Sequence, residues 1–375
     1  MSKVKFEDVA TRVNTREDKD NTSLLYYVGG DHIESGELVV HNRGLIEGST
    51  IGPMFYFGFK KGDILLVSRN PHLRKAAMVD FDGICSEKTF VIGTKDEKVL
   101  LQKYLAVIVH SDSFWNYCEE HKSGGVNFFV NWSTLAKYEF DLPDIEEQRR
   151  ISDKVWAAYG VKESYRRLIK ATDEMVKSRF IEMFGDTLKN TKDWEFSRLP
   201  EVTTIVLGTT PSSSNPDYWD GDIKWITPAE LDDDSFVLTD SERHITEEGV
   251  KNAGLKSFPA GTVIFSTRAP IGKTAIAGCE MYCNQGFKNF ICSDALNPVY
   301  LFYTLRVHKE ELQKMGTGST FLELSKKTIE NISVSVPDRS LQDEFEVIYK
   351  QADKSKFELK QAIEKIDKVM RALLQ

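Results

Sequence analysis

The sequence predicts an α+β fold made of two homologous globular domains joined by two long antiparallel coiled-coil helices. Three observations indicate this arrangement. The chain has 375 residues, more than one typical domain needs. The same short motifs occur in the same order in both halves of the chain. Each half also ends in a long, highly charged segment whose apolar residues recur every three or four positions, as in a helix that packs along one face.

The repeat is visible at four places along the chain. The matching segments, in chain order, are 6–9 with 199–202, 27–31 with 225–229, 61–71 with 260–270, and 124–144 with 318–338. The partners lie 193 to 199 residues apart, so the spacing changes only by small insertions of the kind that loops tolerate. A repeat this long indicates two homologous halves rather than the short units of a solenoid.

Each half is predicted to contain both short strands and helices. Aliphatic or β-branched runs bounded by Gly, Pro or Asp are typical of strands, and they occur at 63–68, 262–267 and 333–336. Longer segments at 99–118 and 298–312 favour helices. Each half is therefore expected to be α+β.

The first long helix is predicted to begin at Asp144. This residue is a good N-cap behind Pro143, and Glu147 completes a capping box. Gly185 supplies a C-terminal stop. At ~1.5 Å per residue, a helix over 146–184 is roughly 58 Å long, which is more than one globular half can cover.

The apolar stripe of the two charged segments predicts that the long helices pack against each other. Its period of about 3.5 residues is typical of a coiled-coil seam, and Lys162 and Arg179 fill two skipped positions. The alternative is two surface helices, each packed on its own half. The expected seam residues are Ile151, Val155, Ile169, Val176, Phe345, Ile348, Leu359, Ile366, Val369 and Leu373.

The composition is that of an ordinary soluble protein, with 41% hydrophobic and 28% charged residues. No apolar run approaches membrane-spanning length and the first residues lack a secretory signal, so we expect a cytoplasmic protein that does not contact a membrane. A net charge of −8 argues against nucleic acid, although an average over the chain says little about one face. The cysteines follow no zinc-like spacing and are expected to be buried thiols; they are Cys85, Cys118, Cys279, Cys283 and Cys292.

Motifs of catalysis are missing from the sequence. Residues 272–274 resemble the end of a phosphate-binding loop, but Thr267 stands where its first Gly is required. Asp217, Asp222 and Lys224 mimic a nuclease metal motif, but such a match in an acidic loop is more often chance. The sequence holds neither an Asn-Pro-Pro-aromatic tetrapeptide for methylation of a flipped base nor a His-Glu-x-x-His zinc motif. We therefore expect a non-catalytic protein with no metal or cofactor of its own.

Several motifs together resemble one known family. Gly-Asp-Ile at 62–64 and Gly-Thr-Val at 261–263 each lead into an aliphatic run that ends in Arg and Pro. A Gly-Ser-Thr segment opens 318–325, residues 143–148 form a Pro-x-x-x-x-Gln helix start, and 268–273 match an Arg-x-x-x-Gly-Lys turn. Along its whole length the chain resembles the specificity subunits of type I restriction–modification systems.

Two positions depart from the family's pattern. Leu341 precedes Gln342 where a Glu is expected, which weakens that helix cap. Leu73 stands where the turn of the first half should have Gly, so the two turns are not expected to share one backbone role.

The resemblance implies target recognition domains at 1–142 and 188–336 and spacer helices at 143–187 and 337–375. Each recognition domain would contact one half of a bipartite, interrupted site in double-stranded DNA, and the helices would fix the gap. The helices would also dock two methyltransferase (M) subunits, which bind S-adenosylmethionine. Motor-nuclease (R) subunits would complete the restriction enzyme.

Candidate DNA contacts lie at equivalent turns of the two halves. Cations are needed for phosphate, and Arg, Asn or Gln for base edges. Because a polar turn alone is usually just solvated, the prediction depends on both copies placing cations at the same repeat position. The candidates in the first half are Arg69, Asn70, His72, Arg74, Lys75 and Lys88. Those in the second half are Arg268, Lys273, Thr274, Asn284, Gln285 and Lys288, with Ser319, Thr320 and Lys326 as weaker candidates for phosphate.

The sequence is also compatible with two other functions. A non-catalytic coiled-coil protein-interaction scaffold would suit the acidic balance, and a fused restriction enzyme fragment could have lost its catalytic part. Steep salt dependence of DNA binding separates a DNA-binding clamp from a scaffold.

Overall fold

A computed structural model describes residues 2–268, 270–318 and 322–374. The chain divides into two compact units. Unit 1 comprises the residues up to Arg167 together with those from Leu359 onward, and unit 2 comprises Leu168–Glu358. Each unit therefore combines one half of the repeat with part of each long helix.

Unit 1 is built from short strands packed on helices. Its strands are β1 (Ser2–Lys5), β2 (Ala10–Val13), β3 (Tyr26–Val28), β4 (Gly44–Leu45), β5 (Phe55–Phe59), β6 (Ile64–Val67), β7 (Ala76–Met78), β8 (Gly83–Ser86), β9 (Thr89–Thr94) and β10 (Glu139–Leu142). Its helices are α1 (Phe6–Val9), α2 (Gln102–Ile108), α3 (Asp112–Glu120), α4 (Trp132–Leu135) and the first part of α5 (Ile145–Phe184). The sheets have the orders β2-β9-β6-β7, β4-β3-β8-β5 and β1-β10.

Unit 2 repeats this plan. Its strands are β11 (Glu195–Arg198), β12 (Thr203–Leu207), β13 (Trp219–Ile226), β14 (Val237–Leu238), β15 (Arg243–Ile245), β16 (Val263–Ser266), β17 (Thr274–Ala277), β18 (Tyr282–Cys283), β19 (Phe287–Cys292) and β20 (Ser333–Val336). Its helices are α6 (Leu199–Val202), α7 (Glu247–Ala253), α8 (Pro298–Val307), α9 (Lys309–Lys314), α10 (Lys326–Glu330) and the first part of α11 (Arg339–Leu374). The sheets have the orders β12-β19-β16-β17-β14, β15-β13-β18 and β11-β20.

The strand register confirms the repeat. The predicted match of 6–9 with 199–202 corresponds to the four-residue helices α1 and α6. Tyr27 pairs in parallel with Ile84, as Trp225 pairs with Tyr282. The antiparallel run β2-β9-β6-β7 has its counterpart in β12-β19-β16-β17. The two halves therefore share the topology of these central strands, and their sheets differ in the number of edge strands.

The glutamine of each helix start fastens the long helix to its own unit. Gln148 is buried; its Oε1 accepts from the Leu101 amide at 3.0 Å and its Nε2 donates to the Pro143 carbonyl at 2.9 Å. Gln342 is also buried and makes the same bonds with the Asn297 amide at 2.8 Å and the Pro337 carbonyl at 2.7 Å. A buried side-chain amide is stable only when paired, so these bonds explain the need for glutamine here.

Helix α5 begins and ends where the capping signals predicted. The Asp144 carboxylate accepts from the Glu147 amide at 2.9 Å. Gly185 has a φ of 71° and donates to the Ile181 carbonyl at 2.8 Å, which closes the last turn. The predicted helix over 99–118 is instead divided into α2 and α3, because Ser111 caps a new helix by accepting from the Phe114 amide.

The two long helices pack against each other within each unit. In unit 2, Asp173 pairs with Lys356 at 2.7 Å and Arg179 with Glu344 at 3.3 Å. The partner number falls as the first number rises, so the helices are antiparallel. In unit 1, Lys162 pairs with Asp367 at 2.7 Å. Lys162 and Lys356 are both buried and occupy equivalent positions of the repeat. Asp173 and Asp367 also occupy equivalent positions, but their side chains are partly exposed.

Most of the expected seam residues lie on the packed faces of the helices. Val155, Val176 and Phe345 are buried. Those that are partly buried are Ile151, Ile169, Ile348, Leu359, Ile366 and Leu373. The prediction for Val369 is wrong: its side chain is 54% exposed, and the neighbouring Met370 is buried instead. A straight helix turns every 3.6 residues, so a strict 3.5-residue pattern drifts off the packed face toward its end.

Two further expectations concern cysteines and membranes. Cys85, Cys118 and Cys283 are buried free thiols as predicted, and Cys279 and Cys292 are partly buried. Over the described residues, every helix is too short or too polar to cross a bilayer.

Candidate nucleic-acid interface

The turns predicted to contact DNA share one backbone frame. Arg69 follows β6 and forms an isolated antiparallel bridge with Phe129, which also bridges to Ser123. Arg268 follows β16 and bridges in the same way to Glu323, which bridges to Thr317. We call residues 123–129, and the described residues 317–318 and 322–323, the glycine hairpins of units 1 and 2. Both copies therefore place an arginine at the same repeat position, and contact of these arginines with DNA stays a prediction.

The arginines enter different turns. In unit 1, Asn70 and Arg74 have left-handed φ values of 52° and 48° and flank a 3₁₀ turn at Pro71–Leu73. In unit 2, Gly272 carries the positive φ, at 94°. A left-handed arginine is strained by roughly 1–3 kcal/mol, whereas glycine adopts this conformation freely. The turn of unit 1, which has Leu73 in place of glycine, thus differs in backbone conformation from the turn of unit 2, as the departure from the family pattern indicated.

Two predicted lysines position a loop in each unit. The Lys75 ammonium donates to the Gly30 carbonyl at 2.7 Å, and Lys273 donates to the Pro228 carbonyl at 3.0 Å. The lysines are equivalent, because their own carbonyls accept from Val67 and Ser266 at the same point of the sheet. Each lysine therefore ties the loop after β3 or β13 to the arginine turn.

The other candidates of unit 1 differ in whether they already form an ion pair within the protein. His72 is exposed at the tip of the turn. Arg74 forms an ion pair with Asp112, and Lys88 forms one with Glu87. The hydrogen bond from Lys88 is the main cause that lowers the pKa of Glu87. Arg74 and Lys88 would have to exchange a carboxylate for phosphate to contact DNA.

In unit 2 the polar turn between β18 and β19 lies beside the arginine turn. The Gly286 carbonyl accepts from the Thr267 amide at 2.8 Å. Asn284 accepts from the Gly286 amide through its side chain at 2.9 Å, and the exposed Gln285 accepts from the Thr210 hydroxyl at 2.6 Å. The backbone contact between Thr267 and Gly286 thus joins the turn that contains Asn284 and Gln285 to the arginine turn, and their contact with DNA stays a prediction.

Two candidates of unit 2 lie inside the protein, so their prediction as surface contacts is wrong. Thr274 is 4% exposed in β17, and Lys288 is 7% exposed in β19. Both are in strands where the register turns the side chain inward, which the chain order alone did not indicate. Lys326 is exposed at the start of α10, 3.5 Å from Glu330. Ser319 and Thr320 lie outside the described residues.

The sequence analysis missed residues that the glycine hairpins bring to these turns. Glu323 accepts from Nη2 of Arg268 at 3.1 Å. In unit 1, the ammonium of Lys122 lies 4.4 Å from the ring centroid of Phe128. The match between 124–144 and 318–338 was the signal from which these residues could have been found, because it placed both hairpins in the repeat. It did not indicate that the hairpins contact the arginine turns.

A buried ionic network lies where the globular part of unit 1 contacts α5. Glu37 accepts from Lys162 at 3.0 Å and from both Nη atoms of Arg166 at 2.7 and 2.8 Å. Burial alone would raise the pKa of Glu37, but the hydrogen bonds and charges of Arg166 and Lys162 outweigh burial and lower the pKa to about 2. Glu37 is therefore ionised and firmly paired.

Two groups of residues in the described chain have the composition of a metal site. They are Glu37 with His41 and Glu163, and Asp186 with His308 and Glu311. In each group lysine or arginine already neutralises a carboxylate: Arg166 pairs with Glu37 and Glu163, and Lys189 pairs with Asp186 at 2.8 Å. Both groups are accounted for as ion-pair networks, and the expected absence of a metal stays a prediction.

Comparison with known proteins gives one family. Residues 191–368 match the type I restriction modification DNA specificity domain. Over 168 residues the chain is 38% identical to the type I restriction enzyme MjaIX specificity subunit of Methanocaldococcus jannaschii. The aligned stretch covers 44% of this chain and 39% of that protein. Over 132 residues it is 30% identical to the EcoprrI specificity subunit of Escherichia coli, covering 34% and 32%. The chain thus matches well under half the length of these curated relatives.

Two solved structures share the fold. A chain from a structure on complex assembly and conformational transition of the type I R-M system matches 100% of this chain and 96% of its own, with a TM-score of 0.60 and 24% identity. The type I restriction-modification system S subunit from M. genitalium matches 100% and 94%, with a TM-score of 0.59 and 13% identity. These likenesses confirm the predicted fold class. The chain therefore resembles the specificity subunits of type I restriction–modification systems, and its residues 191–368 match the DNA specificity domain of that family.

Proposed function

We propose that the chain is the DNA sequence-specificity subunit of a type I restriction–modification complex, in which units 1 and 2 each contact one half of an interrupted DNA site. The observation that carries this proposal is the shared frame of Arg69 and Arg268. Each arginine follows a central strand and lies across a bridge from a glycine hairpin. A common frame supports a common way of docking on DNA, and different side chains on that frame support different half-sites.

The resemblance to the family also suggests how the work of the complex is divided among its subunits. The chain supplies recognition and no catalysis, and two methyltransferase (M) subunits supply S-adenosylmethionine-dependent methylation of adenine. Motor-nuclease (R) subunits complete the complex that cleaves DNA. Two equivalent units support two copies of the methyltransferase, and the paired helices α5 and α11 would set the gap between half-sites.

Co-expression with the cognate methyltransferase tests this proposal. Sequencing of host DNA for N6-methyladenine is expected to give a gapped motif that disappears when this chain is omitted. A continuous motif, or methylation that does not need this chain, would contradict the proposal.

Salt titration separates a DNA-binding subunit from a protein-interaction scaffold. Binding of the assembled complex to a duplex that contains the motif is expected to weaken steeply with salt, because each neutralised phosphate releases about 0.9 counterion. A scaffold would show no DNA binding to titrate.

A further inference from the structure

In unit 2 a carboxylate stands across an isolated bridge from Arg268, at a position where unit 1 has an apolar side chain. Glu323 lies across an isolated bridge from Arg268, and Nη2 of Arg268 donates to Oε1 of Glu323 at 3.1 Å. Phe129 occupies the same position across from Arg69. The backbone bridge is the same in both units, so the side chain across from the arginine is the difference at this position.

The pair of Arg268 and Glu323 is only partly enclosed. Their side chains are 43% and 39% exposed, so a ligand can reach both. The ion pair uses a single hydrogen bond, and the buried Nε of Arg268 has no hydrogen-bond partner among the described residues. Both groups therefore keep hydrogen-bonding capacity that the pair does not use.

Lys288 adds a second cation to this pair. Among the described residues, its ammonium makes only long contacts of 3.5 Å, with the Thr267 hydroxyl and the Phe287 carbonyl. Burial lowers the pKa of Lys288, and the charge of Glu323 opposes that shift while the charge of Arg268 adds to it. The charge of Glu323 thus acts on Lys288 as well, while its ion pair is with Arg268.

We propose that Glu323 is a specificity-determining residue of unit 2, which recognises one G·C base pair together with Arg268. A guanidinium donates to O6 and N7 of guanine, and a carboxylate accepts from N4 of cytosine. An adjacent arginine and glutamate therefore present the donors and the acceptor that a G·C pair requires. Phe129 offers unit 1 no acceptor and suits apolar contact such as a thymine methyl group. This inference rests on the proposed function, since it needs DNA to lie against the glycine hairpin.

The test uses the full complex with its methyltransferase and a set of duplexes in which each base pair of the motif is replaced in turn. With Glu323→Gln, discrimination against replacement of one G·C pair is expected to fall by about tenfold, because an amide is a weaker and ambiguous partner for the cytosine amino group. Every other position of that half-site and the whole of the other half-site should keep their discrimination. Phe129→Glu in unit 1 is the matched variant and is expected to create a preference for G·C at the equivalent position.

The possible results are distinct. If Glu323 merely supports the fold of the hairpin, Glu323→Gln will weaken methylation of all duplexes by the same factor, and the inference is wrong. An unchanged discrimination profile would overturn it as well. Should Glu323→Gln fail to fold, Phe129→Glu carries the same test in unit 1, and no gain of G·C preference there would count against the inference. A wild-type complex that directs no gapped motif would instead refute the proposed function.

Discussion

Units 1 and 2 have the same frame but place different charges on it. At the arginine turns, Arg69 lies across from Phe129, whereas Arg268 lies across from Glu323. The same contrast recurs between the long helices. Lys162 pairs with both Glu37 and Asp367, whereas its equivalent Lys356 pairs with Asp173. The strand register and the buried glutamines hold the backbone in place, so side chains at equivalent positions can change without changing the fold.

The largest expected difference between the two units is in stability, at the ion pairs of the buried Lys162 and Lys356. Glu37→Gln should lower the free energy of unfolding of unit 1 by about 3 kcal/mol, because it removes one partner of a buried ion pair. The matched variant Asp173→Asn in unit 2 should cost only about 1 kcal/mol, because the side chain of Asp173 is 50% exposed and water can replace the lost charge. Denaturant unfolding, with hydrogen exchange to assign each loss to its unit, measures both. Equal losses would show that the two networks are equivalent in energy as well as in position.

The same network gives unit 1 a specific acid sensitivity. The pKa of Glu37 is lowered from 4.5 to about 2, so the stability that it contributes is complete above pH 4.5 and is lost as the pH falls toward 2. Hydrogen exchange across α5 between pH 5 and about pH 2.5 is expected to show unit 1 opening progressively. In Glu37→Gln this part of the pH dependence should disappear. If the variant kept the wild-type dependence, another group would be responsible.

Removal of the two arginines should affect DNA binding unequally. Arg69→Ala is expected to weaken binding to the motif by about tenfold, the loss typical of a base-contacting arginine. Arg268→Ala should weaken binding about threefold, because the charge of Arg268 is already partly neutralised by Glu323 in the free protein. Fluorescence anisotropy at fixed salt measures both. A larger loss for Arg268→Ala would contradict this interpretation of the ion pair.

The two positioning lysines should behave alike. Lys75→Met and Lys273→Met are each expected to weaken DNA binding by about fivefold, because each loses one charge-assisted hydrogen bond to a loop carbonyl. The slope of affinity against salt should stay unchanged. A slope reduced by about one would mean that the lysine neutralises a phosphate instead.

The sequence predicted the fold more fully than the candidate interface. The repeat, the cap at Asp144 and the stop at Gly185 are local or periodic signals, and each predicted its element. The burial of Thr274 and Lys288 depends on which way a short strand faces, and that is set by its neighbours in the sheet. The contact of Glu323 with Arg268 joins residues 55 positions apart through a bridge that no local pattern encodes.

Exchange of one unit's globular part tests the central claim, that the two units are independent copies on one frame, most directly. Residues 188–336 would be replaced by the same region of a related subunit, and the N6-methyladenine motif of the resulting complex would be sequenced. We predict that one half of the motif changes while the other half and the gap stay the same. A change in both halves, or a motif without a gap, would contradict the claim.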